Sequence, residues 1–249
     1  MKLGVGISYF ITNIYQFKEL TRCLDSIYKH VYKIYLVNGR YTEFKHEVDY
    51  SVEGTSEALK QRYPNIEIVD CCATQLIKRQ IYLEMAGEDK CDYLLVMDSD
   101  DFIHPSFQDW DSFYKELEAA YKEPELLYYL WFWVDRDWKC SANPVTMETW
   151  QKYIRIHKHP GLQKYHMTHY IWRLKEDNSV NMNSLVAKKT LNSIKLTCDS
   201  AFRNEEFLKA KADWEQLDYL KEQGRIWVAF NKLEQLSNIV FVNSKTPQQ

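Results

Sequence analysis

Two rhythms alternate along the first hundred residues. The runs "KLGVGISYF" (2–10), "KIYLV" (33–37), "IEIVD" (66–70) and "YLLVM" (93–97) are short, apolar and rich in β-branched and aromatic residues, the make-up of buried strands. Between them apolar residues return every three or four positions, as they do along one face of a helix. Phe17, Leu20, Leu24, Ile27 and Val31 form such a stripe after the first run, and Leu76, Ile77, Ile81, Leu83 and Met85 are the apolar residues of a helix after the third. Thr12 or Asn13 stands where the first helix needs a cap, Pro64 closes the short helix "TSEALKQRY", and Gly87 stops "TQLIKRQIYLEMAG". Strands alternating with helices predict an α/β, Rossmann-like architecture: a mostly parallel sheet covered by helices.

The pattern loosens after residue 100. "HPSFQDWDSFYKELEAAYK" predicts a further helix, and "ELLYYLWFWVDRDW" is too apolar for anything but a buried strand, ending in Asp135 and Asp137. Residues 144–185 are less regular and hold His157, His159, His166 and His169. His157 and His159 flank a basic strand there and are expected to be exposed. A long helix follows from its cap at Asn204 to Gly224, with Phe207, Ala210, Trp214, Leu217 and Leu220 on one stripe. The sequence shows neither internal repeats nor a linker, so a single domain over 1–249 is predicted, with a first half of 1–135 and an irregular second half of 136–249.

Composition narrows the function classes. A formal charge of −3 over 249 residues argues against a broad nucleic-acid-binding surface. Six cysteines without a Cys-x-x-Cys pair make neither a zinc framework nor a dense disulfide scaffold, and fit a reducing compartment. "MKLGVGISYF" reads as the first strand and not as a signal peptide. The longest apolar run, "LLYYLWFWV" (126–134), is about half the ~18 residues of a membrane span. Together these features point to a cytoplasmic protein. The 8 tryptophans allow a groove for flat ligands as well as an aromatic core, with Trp131, Trp133, Trp138 and Trp150 as candidates to stack on sugar rings.

The fourth strand ends abruptly in Asp98, Ser99, Asp100 and Asp101. Carboxylates crowded at one point repel one another unless a cation, a helix N-terminus or solvent offsets them. Asp101 is placed to cap whatever follows. Asp98 and Asp100, two residues apart at a strand end, can project to the same side and share a divalent cation. Hard carboxylate oxygens suit Mg²⁺ or Mn²⁺, and a partly filled coordination shell leaves positions for phosphate oxygens. In open α/β sheets, ligands bind beyond the carboxyl ends of the strands, where Ser8–Asn13, Asn38–Arg40 and Asp98–Asp101 all lie.

In order along the first 135 residues, "LGVGISYF", "KELTRCLDSIY", "IYLVNG", "EGTSEALKQRYPNIEIVD", "KRQIYLEMAG" and "CDYLLVMDSDDFI" resemble the nucleotide-sugar glycosyltransferases of the GT-A fold, family-2-like. The resemblance implies metal-dependent transfer of a sugar from a UDP- or GDP-sugar to an acceptor hydroxyl, with inversion. The acceptor class stays open among a glycan, a protein, a small molecule and a modified base in nucleic acid. Asp98 and Asp100 then match the family's Asp-x-Asp motif, which holds Mn²⁺ or Mg²⁺ and the nucleotide's phosphates, with Asp100 as the direct ligand. Arg79 matches the Arg that begins the family's central helix near the nucleotide, and Thr12 and Asn13 the loop at base and ribose. Asn38 departs from the pattern, which has Asp there.

More loosely, "WQKYIRIHKHPGLQKYHMTH" resembles a family stretch ending in a His, which makes His169 the candidate third metal ligand and His166 its alternative. Asp137, with Asp135 beside it, is the candidate general base; Glu205 and Glu206 are a second choice. Two other readings stay open: a sugar-phosphate nucleotidyltransferase, although "GVGISYFITN" lacks a basic phosphate loop, and a non-catalytic nucleotide-sugar-binding module.

Overall fold

The computed structural model of the chain describes residues 1–42, 46–134, 150–167, 171–174 and 186–198. The alternation read from the sequence forms as expected: β1 (Leu3–Tyr9), α1 (Ile14–Asp25), β2 (Lys33–Asn38), α2 (Thr55–Arg62), β3 (Ile66–Asp70), α3 (Gln75–Glu88) and β4 (Tyr93–Asp98). β5 (Phe102–Gln108), α4 (Trp110–Tyr121), β6 (Leu127–Val134) and β7 (Trp150–Lys158) follow, then β8 (Gln163–Met167), β9 (Ile171–Leu174) and β10 (Val186–Cys198). Among the described residues the main sheet has 8 strands in the order β3-β2-β1-β4-β7-β6-β10-β5, with β3 and β5 at its edges, and β8 pairs antiparallel with β9 in a separate sheet. All its strands run the same way except β7, antiparallel to β4 and β6, and β5, antiparallel to β10. The mostly parallel, helix-covered sheet predicted from the alternation is therefore what the chain forms.

Both faces of the central strands are covered, which is why their sequences are continuous apolar runs. Val5, Ile7, Ile34, Leu36, Leu95 and Met97 face Leu20, Leu24, Phe113 and Leu117 of α1 and α4. Tyr35, Val37, Leu94 and Val96 face Tyr82, Leu83 and Ala86 of α3 on the other side. Asn13 is the cap of α1: its Oδ1 accepts the backbone N–H groups of Tyr15 and Gln16 at 3.0 and 3.1 Å, meeting donors that a helix start leaves open.

Four local expectations are corrected. The segment after Asp101 is an edge strand, β5, in which Pro105 is tolerated because an edge need not donate every ladder hydrogen bond; Asp101 therefore caps no helix, and α4 starts later, on Asp109. The buried side of α3 carries Lys78, Arg79, Tyr82, Leu83 and Ala86, while Ile77 is exposed. Gly87 lies within α3 instead of ending it, and its role is close packing: a Cβ there would come within 2.6 Å of Gly161 Cα. The stretch 150–174, read as less regular, supplies three strands and a short 3-10 turn at Pro160–Leu162. The helix expected from Asn204 to Gly224 lies outside the described residues.

Candidate functional site

The strand order makes a crevice. β1 is flanked by β2 on one side and β4 on the other, so the crossovers leave it in opposite directions and the chain parts beyond the carboxyl ends of β1 and β4. In register, Ser8 stands opposite Asp98 and Tyr9 opposite Asn38, which brings the ends of β2, β1 and β4 into one row.

The acid turn after β4 closes on itself. Asp98 N donates to Asp101 Oδ2 at 2.9 Å, and Asp101 N to Asp98 O at 3.0 Å. α1 holds it from below: the Cys23 thiol reaches Asp98 O at 3.8 Å, Ile103 N donates to Ser26 Oγ at 3.1 Å, and the Arg22 guanidinium lies 3.7 Å above the Phe102 ring. Burial pushes the Cys23 thiol well up, and the three nearby aspartates push it further. Cys23 is fully buried and packs as a small apolar side chain in the core.

Two arginines offset the acids. Arg79 Nη2 lies 3.4 Å from Asp98 Oδ1, and both terminal nitrogens of Arg155 lie 3.2 Å from Asp98 Oδ2. Arg155 Nη2 also reaches Asp101 Oδ2 at 3.1 Å. The Asp98 side chain is 46% exposed, while Asp101 is 3% and Arg155 12% exposed, so the turn presents Asp98 outward on a buried charged footing. Burial raises the Asp101 carboxyl, with Arg155 pulling it back and Asp98 and Asp100 adding to the rise. Half-buried Asp100 and half-exposed Asp98 offer hard oxygens of the kind Mg²⁺ and Mn²⁺ take. Among the described residues no three His, Cys, Asp or Glu side chains gather to hold a metal by themselves. A cation there would take its remaining oxygens from water or from a ligand, the usual arrangement for Mg²⁺ on one or two carboxylates.

The structure brings Arg79 and Asp98 into contact and sets Thr12, Asn13 and Asn38 on neighbouring strand ends. Thr12 is tied to Gln16, whose Oε1 takes both its N–H and its hydroxyl, and the Asn13 amide oxygen is occupied by capping. Asn38 is buried, donating to Asp70 Oδ1 at 2.8 Å and accepting from Ser51 Oγ at 2.5 Å. Beside it Gly39, at φ 129°, runs so close to Cys71 that a Cβ would come within 2.7 Å of the Cys71 carbonyl oxygen. Asp135, Asp137 and His169, like Glu205 and Glu206, lie outside the described residues.

Sequence reasoning missed three participants. Lys78 is fully buried, donating to the Gly39 carbonyl with its ammonium 4.7 Å from the centre of the Tyr41 ring. Asp70 and Arg155 were not singled out either. Arg155 sits where the pairing of β7 with β6 slips by one residue: Tyr128 pairs with Ile156 and Tyr129 with Ile154, so the two isoleucines fall on opposite faces and period-two alternation breaks at Arg155. His157, expected to be exposed, is completely buried, its ring held by Gln163 Oε1 at 2.8 Å and the Tyr165 hydroxyl at 3.3 Å.

No family model and no curated protein matches the chain. Among solved structures it is similar to S. aureus TarS 1–349 in complex with UDP-GlcNAc, at 14% identity and a TM-score of 0.40, over 96% of this chain and 74% of that one. The longer S. aureus TarS chain is similar at 17% identity and TM-score 0.35, over 54% of this chain; the match spans only 22% of TarS. A cytidylyltransferase from Leptospira borgpetersenii is similar at 14% identity and TM-score 0.34, over 64% of this chain and 61% of that one. No helix among the described residues is long and apolar enough to cross a membrane.

Proposed function

We propose that this chain transfers a sugar from a UDP- or GDP-sugar to an acceptor hydroxyl. One observation carries the reading: an acid turn, Asp98–Asp101, stands at the mouth of the β1/β4 crevice with arginines from α3 and β7 closed around it. That site offers both signs of charge where a nucleoside diphosphate would lie, guanidinium groups for phosphate or ribose oxygens and carboxylates for a divalent cation. Mn²⁺ or Mg²⁺, when bound through Asp100, would supply Lewis-acid stabilisation of the departing diphosphate. Asp98, steadied by Arg79 and Arg155, accepts hydrogen bonds from the donor. Thr12, Asn13 and Asn38 border the nucleotide.

In the reaction the acceptor oxygen bonds to the anomeric carbon as the bond from that carbon to the diphosphate oxygen breaks. The acceptor's proton passes to a general base on the opposite side, for which Asp137, with Asp135 beside it, is the candidate, and configuration inverts. His169 is the candidate further protein ligand of the cation. The acceptor is a glycan, a protein, a small molecule or a modified base in nucleic acid, and the setting is cytoplasmic.

The experiment is a turnover assay with UDP- and GDP-sugars and Mn²⁺, reading the nucleoside diphosphate released as the sugar passes to water or acceptor. Release that stops in EDTA and in Asp100→Ala supports the reading. One observation favours a non-catalytic module instead: the Asn38 amide is already taken by Asp70 and Ser51. Tight nucleotide binding without any release would decide for that module.

A further inference from the structure

Arg155 enters the site from β7, and its contacts run to two carboxylates at once. Asp98 Oδ2 receives both of its terminal nitrogens at 3.2 Å, Asp101 Oδ2 lies 3.1 Å from Nη2, and Nη1 reaches the Val96 carbonyl at 3.4 Å. Arg79 takes the other oxygen of Asp98. Asp98 is thus bracketed, one guanidinium on each oxygen, and two adjacent positive charges oppose the approach of a metal cation to it. Asp101 is withdrawn in a second way, buried beneath the turn with Oδ2 shared between Arg155 and Asp98 N.

We infer that Arg155 is a positioning residue that divides the work of the acid turn: by holding Asp98 and Asp101 it keeps both from a divalent cation, directs the cation to Asp100, and keeps Asp98 for the donor's hydrogen bonds. The inference rests on the donor reading above. It has a consequence that a purely structural arginine would not have. Removing Arg155 gives the cation more carboxylate oxygens while it loosens the geometry that receives the nucleotide, so the two affinities move in opposite directions.

The test is a Mn²⁺ titration of the nucleotide-free protein by electron paramagnetic resonance, paired with calorimetry of UDP and GDP at saturating Mn²⁺. It compares wild type, Arg155→Met, Arg155→Lys and the double variant Arg155→Met/Asp101→Asn. The double variant removes one buried charge of each sign and keeps the test alive if the single change prevents folding. Mn²⁺ should bind about tenfold tighter to Arg155→Met, as expected for a positive charge lost beside the site, and tighter by a smaller factor to the double variant, which frees Asp98 while also losing a negative charge. The nucleotide should bind roughly tenfold weaker, the loss of a charge-assisted, two-pronged contact. Arg155→Lys should fall between, because lysine restores the charge without the planar fork. Unchanged or weaker Mn²⁺ binding in both Met variants overturns this inference and leaves the donor reading standing. A wild type that takes neither nucleotide with Mn²⁺ sinks the donor reading, and this inference with it.

Discussion

Asn38 and Asp70 sit side by side on parallel strands, and the Asn38 amide donates to Asp70 Oδ1 at 2.8 Å while its own oxygen takes the Ser51 hydroxyl at 2.5 Å. An amide donates and accepts at once there, which an ionised carboxylate cannot do, and this gives a physical reason for Asn where the resembled family carries Asp. The acid is present one strand further out, as Asp70. Asn38→Asp should therefore not restore anything; it should set two carboxylates in contact. The new carboxyl's pKa would rise, the folded state would hold more protons than the unfolded, and stability would fall as pH climbs above the usual carboxylate range. Urea unfolding should show the variant about 1–3 kcal/mol less stable than wild type at pH 7, with the gap closing near pH 4.

Gly87 and Gly161 touch back to back, where α3 meets the turn after β7. Gly87→Ala should force α3 away from that turn, because the new methyl would stand 2.6 Å from Gly161 Cα, with backbone on both sides. Overpacking of this kind costs about 1–3 kcal/mol. Since α3 carries Arg79, nucleotide affinity should fall along with the melting temperature, which thermal unfolding and calorimetry on one preparation would show.

His157 should stay neutral far below the usual histidine range. Burial lowers it to about 4, against the partial support of Gln163. Gln163 gives its amide N–H to the Lys158 carbonyl, so its oxygen faces Nδ1 and takes that proton, and the Tyr165 hydroxyl donates to Nε2. Between the unfolded value of about 6.5 and the folded value of about 4 the unfolded chain holds more protons, so stability is full at higher pH and falls as pH drops through that window. The loss should reach on the order of 3 kcal/mol near pH 4, and the His157 ring resonance should not titrate between pH 5 and 8.

The frame of the site was legible because it follows from short-range rules. Apolar runs, helix stripes and the Asn13 cap fixed β1 to β4 and their helices, and with them the place of the acid turn. What could not be read was the burial of the cations. Lys78 and Arg79 lie on a helix where a charge normally marks the solvent side. They are buried because the Gly39 carbonyl and Asp98 receive them, partners that only the folded sheet supplies. Arg155 meets Asp98 from 57 residues away, and no local pattern announces such a pair. β5 was absorbed into the helix predicted from His104, because Pro105 suits a helix start as well as it suits an edge strand.

The central claim is a donor site that works through a cation held at Asp100. Thermal unfolding in the presence of UDP- and GDP-sugars, with Mn²⁺ and separately with EDTA, tests it most directly in wild type and Asp100→Ala. At a ligand concentration about a hundredfold above Kd, binding should stabilise the wild type by roughly 2.7 kcal/mol, a clear rise in melting temperature. That rise should appear with Mn²⁺, vanish in EDTA, and be absent from Asp100→Ala under either condition. An equal rise in EDTA, or one that survives Asp100→Ala, would contradict the claim.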